Sequence, residues 1–363
     1  MTKNYSYLLG LLLFIITISS CKQDDEYVVI EPTQITPVVL DLNSVPYQTL
    51  SEYNFFDGNM ANLKPVYGVL PYKIISGLFI DYAKAKTFIW MPKNSKAKYV
   101  NDYSVFDFPD GTVLITTHYF ENVLPENNTK MIETRLLIKK EGEWIMANYA
   151  WNEKQTQASF TTEGSFVGIK WLENNETRTV NYKIPSYDEC FTCHNKYDVI
   201  LPIGPKPQNI NHSISFNDGI KNQLSKWAEF GYLNSNYPSG IVSTVNWKDQ
   251  SQPLDLRVRS YLDINCAHCH SEKGYCGYTS MRFAFNETED LSNIGVGVKH
   301  VFEIEDSLTH IVSPGNSDNS ALLFRISSTL DEFKMPIIGR TLQDREGVQL
   351  IKNWINSLEN TYK

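Results

Sequence analysis

The chain has 363 residues, of which 42% are hydrophobic and 20% charged, long enough for two or three domains. Lys and Arg number 33 against 41 Asp and Glu, a net charge of −8. That balance suits neither DNA nor RNA, whose phosphates need basic surface, and would steer a basic redox protein inward.

Residues 1–20 have the form of a lipoprotein signal peptide. Lys3 is the only charge before Cys21, Leu8 to Ile18 is apolar, and Ser19-Ser20 put small residues before the cysteine. The apolar run is too short for an ordinary membrane span. Cys21 is therefore expected to carry lipid, holding the chain on a membrane it does not cross, in the cell envelope at the outer membrane, on its periplasmic or outer face. An ordinary secretory signal cut nearby is the alternative. Residues 21–45 read as a tether. Their acidic start, Asp24-Asp25-Glu26, resembles the surface-export signal of some bacterial lipoproteins, and equally suits a solvated linker.

Residues 46–186 read as an all-β domain, a sandwich or barrel. Hairpin signals lie at Phe106–Thr117 around Pro109-Asp110-Gly111, at Arg135–Ala147 around Glu141-Gly142, and at Phe166–Ile184 around Asn174-Asn175. Trp90, Trp144, Trp151 and Trp171 are expected in its core.

The periodicity then changes. Residues 187–248 form a first haem segment and 249–363 a cytochrome c-like domain. The expected fold is thus multidomain α+β, an all-β part followed by a mainly α-helical haem region. Ile220, Leu224, Trp227 and Ala228 predict a helix over 217–230 stopped by Gly231, and 232–252 reads as a linker loop. Pro253 suits a first helical turn leading to Leu256, Leu262 and Ile264, and Val348, Ile351, Trp354, Ile355 and Leu358 predict a closing helix.

Two words carry the chemistry: Cys190-Phe191-Thr192-Cys193-His194 and Cys266-Ala267-His268-Cys269-His270. Each is C-x-x-C-H, the attachment pattern of c-type haem. Two thiols at this spacing form thioethers with the two vinyl groups of one porphyrin, and the next histidine reaches the iron. The expected cofactors are two covalently bound haems, on Cys190 and Cys193 with His194, and on Cys266 and Cys269 with His270. Zinc words usually lie only ~15–20 residues apart, far closer than Cys193 and Cys266, and a redox dithiol needs no following histidine. With lipid on Cys21, only Cys276 of the six cysteines stays unassigned, as a free thiol or an intermolecular bridge.

For the second haem, Met335 in Phe333-Lys334-Met335-Pro336 is the expected sixth ligand; Met281 stands too near the word. Arg325 and Arg340 are candidates to face the propionates. For the first haem, His212, His118 and Met131 remain open, as does no ligand at all.

Around these words the chain resembles a bacterial family of di-haem c-type cytochromes of the cell envelope. The resemblance runs from about 50 to 358. It rests on Asp81-Tyr82-Ala83, Phe106-Asp107-Phe108-Pro109, Ile132-Glu133-Thr134-Arg135-Leu136, Tyr149-Ala150-Trp151-Asn152-Glu153, Gly204-Pro205-Lys206, Tyr261-Leu262-Asp263-Ile264-Asn265, Pro314-Gly315, Met335-Pro336, Gly339-Arg340 and Glu346-Gly347-Val348. It implies two haems and Met335 as a ligand. The expected function is electron transfer with a redox partner protein as donor or acceptor. The alternative is a di-haem peroxidase-like enzyme with an open sixth position on the first haem.

Overall fold

A single antiparallel sheet of eight strands organises the chain. The computed structural model describes residues 34–359 apart from 302, 303 and 306, so the expected leader and Cys21 lie outside the described residues. The strands are β1 Leu70–Tyr72, β2 Lys84–Trp90, β3 Val113–Val123, β4 Asn128–Lys140, β5 Glu143–Trp151, β6 Ala158–Thr161, β7 Ser165–Glu173 and β8 Glu176–Ile184. β1 to β6 pair in chain order, and the β7–β8 hairpin joins the far end of β3 through Val123 and Trp171. Two expected hairpins form where both turn residues take positive φ: Glu141 (54°) with Gly142 (79°), and Asn174 (52°) with Asn175 (65°). The third does not. Asp107 bridges to Lys98, while Phe106 and Phe108 turn inward against Trp227.

Alternation gives the sheet two different faces. One carries the cross-strand row Phe88, Ile115, Leu136 and Ala147, buried with Leu50, Tyr53 and Phe55 from the preceding segment. The other is apolar only at its two ends. Leu114 and Trp144 pack with Trp227 at one end, and Phe120 packs with Trp171 and Tyr182 at the other. Between them stand Thr87, Thr116, His118, Arg135 and Asn148. The four tryptophans thus go to three separate clusters.

Beyond the sheet lie two short ribbons, β9 Asn195–Lys196 with β10 Val199–Ile200 and β11 Ser213–Phe216 with β12 Gly219–Asn222. The helices described are α1 Tyr187–His194, α2 Pro207–Ile210, α3 Gln223–Phe230, α4 Leu254–Asn265, α5 Leu291–Ile294, α6 Ala321–Ser327 and α7 Arg345–Ser357.

The expected fold class needs correction. The sheet is open, its outer strands β1 and β6 unpaired with each other, so it is neither barrel nor sandwich; helices and loops cover the partly polar face. Strand makes up 28% and helix 20%, so the haem region is not mainly α-helical. Its last part holds helices of only 12, 4, 7 and 13 residues. The intervening segments are rich in Gly, Ser, Asn and Pro, which favour turns over helix. α4 and α7 do pack together, Val258, Tyr261 and Leu262 against Leu350, Ile351 and Trp354. Residues from Thr36 onward form one compact unit.

Candidate functional site

The first C-x-x-C-H word ends α1, and that helix has a strong start. Ser186 Oγ accepts from Glu189 N at 3.3 Å, and Glu189 Oε2 accepts from Ser186 N at 3.0 Å, a reciprocal capping box. Lys183 pairs with the same glutamate. Helical spacing sets Cys190 and Cys193 on neighbouring turns of one face. His194 Nδ1 lies 2.7 Å from the carbonyl of Leu201. A carbonyl only accepts, so Nδ1 carries the proton and Nε2 presents its lone pair. Burial lowers the pKa of His194, favouring the neutral ring.

The second word follows α4 as a helical turn, with His270 N donating to Cys266 O at 3.0 Å. His270 is buried, and its Nδ1 lies 3.2 Å from Thr279 Oγ1. That hydroxyl gives its own proton to Cys276 O at 2.8 Å, so it accepts from Nδ1–H. Again Nε2 is left free. The loop carrying Cys276 folds tightly under the word: a Cβ at Gly274 would stand 2.6 Å from the Cys269 carbonyl. Cys276 is a buried free thiol there.

Met335 lines the same crevice as Cys266, Cys269 and His270. The buried guanidinium of Arg340 holds its loop. It donates to Met335 O at 2.8 Å, Ser328 O at 2.7 Å, Arg325 O at 3.2 Å and Leu342 O at 3.0 Å. Arg340 therefore organises the Met335 loop, and its donors are occupied by carbonyls. Arg325 likewise donates to Phe333 O. The Asp81 carboxylate accepts from the backbone of Thr341 and Leu342, both at 2.7 Å, fastening this loop to the segment before β2.

The two words meet. A sulfur each from Cys193 and Cys269 and a ring nitrogen of His268 all lie within 4.8 Å of one another. The Cys269 thiol and His268 draw the pKa of Cys193 down, while Cys269 moves up for the same hydrogen bond and its burial. Cys190 and Cys266 are pushed up to about 11 and about 12, mainly by burial.

Behind the first word opens a cavity of about 450 Å³, within the usual range for cofactor pockets. Its floor is the polar middle of the sheet; its roof includes Tyr187, Cys190, His194, Pro202, Ile203 and Pro205. Of the ligand candidates left open by the sequence, only His118 lines this cavity. His212 is bonded to Gln223 and Met131 packs in the core on the other face. Met146 also lines it, on an ordinary-looking strand position that carried no signal.

His118 belongs to a buried network. Its Nδ1 lies 3.7 Å from Glu133 Oε1, which also takes Arg135 Nη2 at 2.5 Å and the Tyr182 hydroxyl at 2.6 Å. Burial, reinforced by Arg135, pushes the His118 pKa down to about 3. Burial alone would raise Glu133, but the charges of Arg135 and His118 and its hydrogen bonds bring it below the ordinary value. His118 Nδ1, Arg135 Nε and both amide atoms of Asn148 are buried without hydrogen-bond partners.

These observations bear on whether haem fits. At the first word, Cys190, the oriented imidazole, the cavity and its unpartnered polar atoms suit it, while Cys193 lines the crevice of the second word. At the second, the donor set suits it, but the crevice is only about 30 Å³, close to the volume of one water. Met335–Ile338 must move away from Cys266–Cys276 to admit a porphyrin. Among the described residues, no helix is long and apolar enough to cross a membrane. No protein-family model, curated protein or solved structure matches the chain.

Proposed function

We propose that this chain is a di-haem c-type cytochrome that carries electrons at the bacterial cell envelope, anchored by lipid on Cys21 and exchanging electrons with a separate redox protein. The observation that carries the reading is shared by both words. His194 and His270 each commit Nδ1–H to an oxygen and keep Nε2 free. Metal-binding histidines are oriented in this way by a partner on the other nitrogen. Chance placement of two histidines after two Cys pairs would not also orient both rings.

Haem c supplies a one-electron iron couple when bound. The chain's own residues attach, orient and space the two groups. Cys190, Cys193, Cys266 and Cys269 would hold the two groups through thioethers, and His194, His270 and Met335 would supply nitrogen and sulfur donors to their irons. A thioether ligand favours the reduced iron and raises its potential. The contact of Cys193 with Cys269 brings the two attachment points together, which favours rapid exchange between them.

One observation favours a second reading. Cys193, His268 and Cys269 could hold a thiophilic metal ion, such as zinc, between the words. That reading gives His194 and His270 no task. Mass spectrometry of the denatured, exported protein separates the two. The cytochrome reading expects two covalent haems, with one lost in each of Cys190→Ser/Cys193→Ser and Cys266→Ser/Cys269→Ser. A wild-type chain with no covalent haem and a bound metal would sink it.

A further inference from the structure

The cavity behind the first word contains more machinery than a proximal histidine needs. His118 stands on β3 directly across from Glu133 on β4, so both side chains occupy the polar middle of the sheet. Glu133 is wholly buried, and its Oε1 takes both Arg135 Nη2 at 2.5 Å and the Tyr182 hydroxyl at 2.6 Å. Buried charge networks of this kind are commonly no more stable than apolar side chains of equal volume. The stability of the sheet therefore does not account for this one. Its arrangement approaches what metal-binding histidines require: a carboxylate stands on the Nδ1 side, at 3.7 Å and just beyond hydrogen-bond distance, leaving Nε2 to face the metal.

We propose that His118 is the second axial ligand of the haem attached at Cys190 and Cys193, opposite His194, with Glu133 as its positioning residue. The inference rests on the reading of the first word as a haem site. His194 enters the cavity from the helical roof and His118 from the sheet floor. A planar group between them would have an imidazole from each wall. The Asn148 amide and Arg135 Nε, unpartnered in the same floor region, are donors for its polar edge. Met146 is the competing donor, but it stands in the apolar row with Leu114 and Leu137, without polar support.

The assignment makes the two haems unequal. Two imidazoles on the first iron give it a lower potential than the His270–Met335 pair gives the second. Electrons then run from the first word to the second, and the first iron has no open position for peroxide.

The test uses oxidised holoprotein, with haem count read by denatured mass in every sample. Near-infrared charge-transfer and EPR spectra of the wild type should show one bis-imidazole and one imidazole–thioether haem. His118→Met should convert the first to the thioether type and shift its reduction equilibrium at least tenfold toward the reduced form. Glu133→Gln should keep the bis-imidazole band but raise that potential. Two haems by mass with two thioether-type spectra, a high-spin first haem, or a His118→Met spectrum unchanged from wild type would overturn the ligand and leave the di-haem reading standing. A wild-type mass lacking the first haem would overturn both. If His118→Met does not fold, the wild-type spectra decide.

Discussion

Cys193 and Cys269, each the second cysteine of its word, lie in contact although a long stretch of chain separates them. This places both C-x-x-C-H words at one junction, reinforced by Tyr197 N donating to Lys273 O. The thiols are close enough to react with each other when haem is withheld. In protein exported without haem attachment, mild oxidation should therefore cross-link Cys193 to Cys269 rather than close either C-x-x-C pair. Peptide mapping after alkylation reads this directly. Recovery of Cys190–Cys193 or Cys266–Cys269 disulfides as the main products would contradict the observed junction.

Met335 should control the second haem alone. Met335→His exchanges a thioether for an imidazole. It should remove the far-red absorption of methionine-ligated ferric haem and lower one potential by a sizeable part of the roughly 0.8 V that axial ligands span. The other potential should stay in place. A redox titration followed optically checks both; two unchanged potentials would remove Met335 from the ligand set.

Arg340 is the structural support of the Met335 loop. Its guanidinium satisfies four backbone carbonyls, including that of Met335. Arg340→Ala should cost about 3–5 kcal/mol, since several buried acceptors lose their donor at once. Arg340→Lys should recover only part of this, because an ammonium cannot reproduce the planar fork. Urea denaturation measures the loss. A change under about 1 kcal/mol would mean that water replaces the guanidinium, as at ordinary surface sites.

How much of this was legible in the sequence depended on range. Glu141-Gly142 and Asn174-Asn175 mark their hairpins because a tight turn is a local event. The closing helix was legible from its apolar spacing. The helix expected from 217 was not placed correctly: Asp218-Gly219 makes a turn, Gly219 at φ 115°, and Ile220 is 77% exposed on the resulting ribbon. The supposed linker 232–252 buries Tyr232, Leu233 and Trp247, because large side chains found cores that a local reading does not contain. At the site, the two words were visible but their contact was not. His118 was one of three open ligand candidates, and its neighbours Glu133 and Arg135 carried no site reading of their own. Alternation shows that a face is polar, not that a helix and loops will cover it.

His212 gives the fold a pH dependence away from both words. Burial, and then Lys73, lowers its pKa from the ordinary 6.5, so the folded chain takes up this proton at lower pH than the unfolded chain. Below about pH 6.5 the unfolded state binds more protons, and stability falls as pH drops toward the folded value. Its neutral ring sits on the Gln223 amide, which donates to Nδ1 at 3.1 Å. His212→Gln retains an acceptor without the titration. Denaturation midpoints of the holoprotein between pH 7 and 5 should therefore fall less in the variant, and equal slopes would remove His212 as a cause.

The Ser186 cap acts on one word only. α1 has eight residues and a weak apolar stripe, too short to persist without help from its ends. Its first turn depends on the Ser186–Glu189 exchange, and its last residues are Cys193 and His194. Ser186→Ala removes the side-chain acceptor and should cost about 1 kcal/mol. The loss falls on a helix that must hold two thiols and an imidazole in one register while haem is attached. The variant should accumulate chains carrying a single haem, at Cys266 and Cys269, with full loading restored by Ser186→Asp, which caps equally well. Denatured mass with peptide mapping counts each product. Equal loss at both words would show that the cap stabilises the whole fold and not the first attachment site.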